Sequence, residues 1–80
     1  MKIEIKLLTQ FKRYLPRPDL SGNNRTIEVK ENATIEDVIK TLGIPIDTPK
    51  VIMQNEKQVT LSDRLKEGDR VTVFPPVGGG

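Results

Sequence analysis

The residue types that could do chemistry in this 80-residue chain are its carboxylates, lysines, hydroxyls, the single tyrosine Tyr14 and the two chain termini, because it contains no cysteine and no histidine. That double absence excludes Cys- or His-ligated zinc, Cys-bound iron–sulfur clusters, Ser-His-Asp triads, Cys-His dyads and any histidine acid–base step. Disulfides are excluded too, so no staple supports the small core. The carboxylate pairs Glu36/Asp37 and Asp63/Glu67 carry no sign of like-charge crowding and read as solvated helix surface. Tyr14 is a lone aromatic that suits packing better than catalysis. No Walker A or dinucleotide glycine motif is present, and no metal site is expected. What remains is the end of the chain, Phe74-Pro75-Pro76-Val77-Gly78-Gly79-Gly80.

A carboxylate is a poor electrophile and must be activated, for example as an acyl-adenylate. An enzyme doing this must bring the carboxylate to the α-phosphate of ATP in a narrow, water-poor cleft. Three glycines take every side chain off the last stretch, and only glycine lets backbone approach that closely. Pro75 and Pro76 lack an N–H, so they stop a strand ladder and favour a stiff, extended exit. Fully extended, residues 75–80 would reach on the order of 20 Å. A frayed end or an engineered linker is the plain alternative for Gly-Gly-Gly; Pro-Pro-Val directly after a strand argues against it. No helix follows the glycines, so they are not a phosphate loop.

Such an arm needs a body, and the periodicity supplies one. Residues 2–8 alternate, with Ile3, Ile5 and Leu7 on one side of a half-buried strand. Phe11 to Leu15 could make a short helical turn, and Pro16, Pro18, Gly22 and Asn23-Asn24 a loop. Residues 26–30 alternate again and pair with the first strand. Thr34 is a good N-cap with Asp37 at N3, Ile35, Val38, Ile39 and Leu42 form one apolar stripe, and Gly43 with Pro45 ends the helix near Leu42. A short strand is expected at 50–54, a turn at Asn55-Glu56-Lys57, a brief strand at Gln58-Val59 and a single helical turn at Leu61 to Leu65. Gly68-Asp69 turns the chain into a last strand, 70–74, with Val71 and Val73 inward and Arg70, Thr72 and Phe74 outward. The first and last strands are expected side by side in the sheet centre. This order predicts an α+β fold of β-grasp (ubiquitin-like) type, a mixed sheet with one main helix on one face, over residues 1–74, and a flexible extended tail over 75–80.

Net charge is +2, but residues 1–30 hold seven Lys/Arg against three Asp/Glu and residues 31–80 six against eight. The basic end reads as solvated surface, with Lys12 and Arg13 able to meet an acidic partner. No apolar run exceeds the three residues Val51-Ile52-Met53, and Met1-Lys2 leads into alternation, so no membrane span or signal peptide is expected and the default compartment is the cytoplasm.

Phe74 to Gly80 resembles the Phe-Pro-Pro-Val-x-Gly-Gly ending of the MoaD/ThiS family of sulfur carriers. Leu65-Lys66-Glu67-Gly68-Asp69-Arg70-Val71 is similar to that family's Leu-x-x-Gly-Asp-x-Val approach to the last strand, and Thr34 to Gly43 with Ile44-Pro45 to its helix and exit. The 9–25 segment favours the MoaD-like branch. Where the family often has Asn-Gly, this chain has Asn55-Glu56. The resemblance implies a carrier and not an enzyme. A ThiF/MoeB-like enzyme, using ATP and magnesium, would adenylate the Gly80 carboxylate, and sulfur transfer would give a thiocarboxylate. Pro75, Pro76, Val77, Gly78 and Gly79 would thread into a second enzyme, such as a MoaE-like subunit, most simply in molybdopterin or tungstopterin synthesis. Phe74, with Leu8 on the same outward face, is the expected docking patch. No cofactor, nucleic acid or membrane binding is expected of the carrier itself. Thiamine thiazole synthesis and tRNA thiolation are alternative destinations. A ubiquitin-like modifier joined through Gly80 is an alternative fate of the same terminus. A β-grasp RNA-binding module is disfavoured by the modest charge and few aromatics.

Overall fold

The computed structural model describes residues 1–76. In chain order the elements are β1 (Lys2–Leu7), a 3-10 helix (Thr9–Tyr14), β2 (Asn24–Glu28), α1 (Ile35–Leu42), β3 (Val51–Gln54), β4 (Lys57–Gln58) and β5 (Arg70–Phe74). The strands form one sheet in the order β2-β1-β5-β3-β4. β1 and β5 run parallel and every other pairing is antiparallel, so the sheet is mixed. With one helix on one face, this is the α+β β-grasp architecture.

Alternation sends Ile3, Ile5 and Leu7 of β1, Val71 and Val73 of β5 and Ile52 of β3 to the same side. The apolar stripe of α1, Ile35, Val38 and Ile39, covers them, and Phe11, Leu15, Ile44 and Leu65 complete one buried cluster. Each such aliphatic side chain contributes about 1.5–3 kcal/mol by leaving water, which is what pins the helix to this face.

The ends of α1 are those its sequence specifies. The Thr34 Oγ1 accepts the Asp37 N–H at 3.2 Å and the Asp37 Oδ2 accepts the Thr34 N–H at 2.9 Å, a complete capping box. Gly43 takes the left-handed conformation (φ 82°) and returns its N–H to the helix.

The expected helical turn at Leu61 to Leu65 is reduced to a hydrogen-bonded turn at 61–62, where Asp63 N–H donates to Thr60 O at 3.2 Å. Two N–H groups left open in the first turn of α1 take that segment's carbonyls instead: Ile35 donates to Asp63 O and Glu36 to Leu61 O, both at 2.9 Å. Leu65 N–H in turn donates to Ala33 O at 2.9 Å. Carbonyls spent on a neighbour keep that turn from continuing to Leu65, and tertiary bonding outweighs the local pattern. Strand bounds also move. β2 occupies 24–28 and not 26–30, because Leu7 N–H reaches back to Asn23 O at 3.1 Å. β1 ends at Leu7 and β3 begins at Val51. β4 is 57–58 and not 58–59, because a two-residue turn suffices once Asn55 adopts a positive φ of 58°. Asn tolerates that conformation better than most residues, and Glu56 is not required to share it.

Arg25 was not legible beforehand as special. Facing inward opposite Ile5, it is buried, and its guanidinium donates to five backbone carbonyls. Nε meets Pro16 O at 2.7 Å, Nη1 meets Asn24 O at 2.7 Å and Ser21 O at 3.4 Å, and Nη2 meets Leu20 O at 2.9 Å and Arg17 O at 3.0 Å. Carbonyl dipoles thus satisfy a buried cation and fold the 16–24 loop onto the end of β2. Arg25→Ala is expected to lower unfolding free energy by about 2–3 kcal/mol. Arg25→Lys, with no planar fork, should recover less than half of that in urea denaturation; full recovery by lysine would refute the role of the fork.

Candidate functional site

β5 lies in the middle of the sheet and ends at Phe74, where the prolines begin. On one side Val73 is in register with Leu7, and Leu8 N–H extends that pairing by donating to Val73 O at 3.0 Å. On the other side Phe74 is in register with Val51. Leu8 lies just past β1, but its backbone is extended (φ −115°, ψ 155°), so the alternation continues through it. Since Leu7 and Val73 face the core, Leu8, Phe74 and Val51 share the opposite face, each half-buried. The expected Leu8–Phe74 pair therefore exists, and the register adds Val51 to it. The next row is Lys6, Thr72 and Met53, and the one beyond it joins Glu4 to Arg70 through an ion pair of 2.7 Å. Val51 and Met53 went unnoticed because their outward placement depends on cross-strand register. Pro75 is half-buried and Pro76 exposed. The expectations for Val77, Gly78, Gly79 and Gly80 lie outside the described residues.

The opposite end of β5 sets the strand's position. Gly68 adopts φ 84° and its N–H donates to Lys2 O at 2.8 Å, tying the entry turn to β1. Asp69 then gathers three donors from two segments: Lys66 N–H at 2.8 Å and Gln54 Nε2 at 2.7 Å on Oδ2, and Asn55 Nδ2 at 3.2 Å on Oδ1. Partial burial pushes this carboxyl up, but the Lys66 N–H and the two side-chain amides outweigh it, and its pKa lies below the ordinary aspartate value. Asn55 also accepts the Arg70 N–H at 3.0 Å, so the β3–β4 turn and the start of β5 are one unit.

The other candidate chemistry is spent on structure. Asp37 caps α1, and the Thr34 N–H holds its pKa down. Glu36 pairs with Lys40 at 3.2 Å. Asp63 accepts the Thr60 N–H at 2.8 Å and Glu67 the Lys2 N–H at 3.0 Å. Tyr14 packs half-buried against the core, and Lys12 and Arg13 are exposed. Among the described residues no cluster of three acidic side chains suited to a metal forms, and no helix is long and apolar enough to cross a membrane.

The ThiS family model matches residues 16–80. The sulfur carrier protein TtuB of Thermus thermophilus is 32% identical over 56 residues, which is 70% of this chain and 85% of that protein. RnfH of Yersinia pestis is 32% identical over 59 residues, and the chain spans 63% of the length of that relative. Among solved structures, a putative molybdopterin converting factor subunit 1 from Pyrococcus furiosus superposes with a TM-score of 0.74 at 26% identity, covering 95% of this chain and 98% of that one. The complex of subunits 1 and 2 of the molybdopterin-converting factor from Helicobacter pylori gives a TM-score of 0.65 at 21% identity over 100% of both chains, a likeness of fold.

The Asp69 turn makes stability depend on acid. A carboxyl with a depressed folded pKa stabilises fully above its unfolded value, about 3.9, and that contribution disappears as pH falls through the lower folded value. Asp69→Asn, which keeps one acceptor oxygen, should cost about 1–2 kcal/mol at pH 7. The gap to the unsubstituted protein should shrink below pH 4 in denaturant titrations; a gap constant with pH would refute the assignment.

Proposed function

The chain belongs to the ThiS family, and on that premise we propose that it is a sulfur carrier loaded at the Gly80 carboxyl group. The observation that carries this reading is the position of β5: the central strand ends at Phe74, is followed in sequence by Pro75-Pro76-Val77 and then the glycine run, and has a half-buried apolar row at its end.

The chemistry follows from the carboxylate. A ThiF/MoeB-like enzyme with ATP and magnesium joins a Gly80 carboxylate oxygen to the α-phosphate and releases pyrophosphate. Sulfur at the oxidation level of sulfide, as hydrosulfide, then attacks the acyl carbon, forming the C–S bond as the C–O bond to AMP breaks and giving up its proton to solvent. The resulting thiocarboxylate has a nucleophilic sulfur to donate. The β-grasp body is non-catalytic. Its part is to dock, through Phe74 and Leu8, while Pro75 to Gly79 reach the partner's reacting centre. A second enzyme consumes the sulfur. A MoaE-like subunit and a pterin acceptor are the reading supported by the fold neighbours that are molybdopterin-converting subunits. The TtuB relative supports the carrier role without naming an acceptor.

Intact-mass measurement of protein purified from its native host should find a species in which one oxygen is replaced by sulfur. Conjugates of much higher mass in its place would instead identify a protein modifier. Deleting Gly80, or adding a residue after it, should abolish loading with an unchanged circular dichroism spectrum; undiminished loading would rule out the tail mechanism. Phe74→Glu should raise the activating enzyme's KM for the carrier by about tenfold or more, and an unaltered KM would remove Phe74 from the docking face.

A further inference from the structure

We propose that the open edge of β2 docks an extended segment of a partner protein, which adds to the sheet as a further strand and seats an uncharged apolar side chain in a hollow beside it. The inference rests on the fold and is independent of the carrier reading. Of the two sheet edges, β4 has only two residues in register, Lys57 and Gln58. β2 is paired without a break from Asn24 to Glu28 and carries neither the proline nor the bulge that commonly blunts an edge. Leu7 N–H meets Asn23 O at 3.1 Å and Val29 N–H meets Met1 O at 2.8 Å. In an antiparallel pair these rungs recur at alternate residues, so Arg25 and Ile27 bond to β1 while the N–H and C=O of Thr26 and Glu28 point the other way. On that side Asn24 O is taken by Arg25 and Lys30 O by Ala33 N–H. No group among the described residues takes those of Thr26 or Glu28, and both residues are exposed. Two donors and two acceptors at strand spacing are matched by an extended backbone.

The hollow gives that backbone a side-chain preference. It has a volume of about 320 Å³ and is lined by Asn24 to Ile27 of β2, by Pro16, Arg17 and Leu20 of the preceding loop, and by Glu4. Successive strand residues point to opposite faces, so a hollow touching four in a row lies along the strand's free side. Its loop wall is fixed, because Pro16, Arg17 and Leu20 each give a carbonyl to the Arg25 guanidinium. Leu20 is thereby held 46% exposed, the most open large apolar side chain among the described residues. The charges around the hollow are already met within the chain: Arg17 by Asp19 at 3.4 Å, Glu4 by Arg70 at 2.7 Å, and Arg25 by carbonyls. A charged side chain entering it would lose water and find no free counter-charge, so its electrostatic complement is a neutral, apolar one.

The test is an NMR titration of the isotope-labelled full chain with the capped peptide acetyl-Lys-Thr-Val-Thr-Leu-Thr-Val-Thr-Lys-amide. The largest amide shifts should fall on Thr26 and Glu28 and on the Leu20 loop. N-methylating alternate amides of the peptide, or replacing its central leucine by aspartate or lysine, should weaken binding about tenfold or more. Thr26→Pro should do the same without loosening β1, because the Thr26 N–H faces away from that strand, and so should Leu20→Asp. Urea midpoints of the two variants separate a folding defect from a docking one, and the N-methylated peptide tests the edge on the unsubstituted protein. Shifts absent from β2, or centred on β4 or on the Leu8–Phe74 row, overturn the proposal, as does equal binding of the N-methylated peptide. Shifts at Thr26 and Glu28 that grow with protein concentration alone identify a second copy of this chain as the occupant and overturn the separate partner.

Discussion

The parallel pairing of β1 with β5 is the constraint on which this molecule is built. It brings the first strand and the last into the centre of the sheet, with Val71 and Val73 laid against Ile5 and Leu7. Parallel strands cannot be joined by a tight hairpin, so everything between them, including α1, serves as the crossover. The pairing also runs to the base of the tail: Leu8 N–H on Val73 O is its last rung, one residue before Phe74. Whatever the C-terminal arm does, it does so from a rigid base, because β5 has neighbours on both sides until the prolines end it.

Several carboxylates in this chain serve its own backbone. With a small core, the turns and helix ends carry much of the specificity, and carboxylates do that work. Asp37 closes the cap of α1, Asp69 ties the β3–β4 turn to the start of β5, and Asp63 folds the segment whose carbonyls serve α1. Arg25 does for the 16–24 loop what these acids do elsewhere, by donating to backbone where they accept.

Much of the fold could be read before the structure, and the reasons are specific. The α1 bounds matched because Thr34, Asp37 and Gly43 act through bonds within a few residues. The central strands matched because period-two alternation in Lys2 to Leu7 and Arg70 to Phe74 leaves one way to bury the apolar side. Reading fell short at Leu61 to Leu65, where spacing suggested a turn of helix and the open N–H groups of α1 limited it to a turn at 61–62. Arg25 failed similarly, because five carbonyls become its partners only when a loop of no visible pattern folds over it.

The chemistry proposed for the site is local and therefore readable: the absence of cysteine and histidine and the run Pro-Pro-Val-Gly-Gly-Gly are properties of residue types and their order. The surface that presents it was not. Val51 and Met53 join Leu8 and Phe74 only through cross-strand register, and the 3-10 helix after Leu8 keeps its place only because Phe11 and Leu15 enter the core. Register and anchoring are relations between residues far apart in sequence, and they come into being only when the core closes.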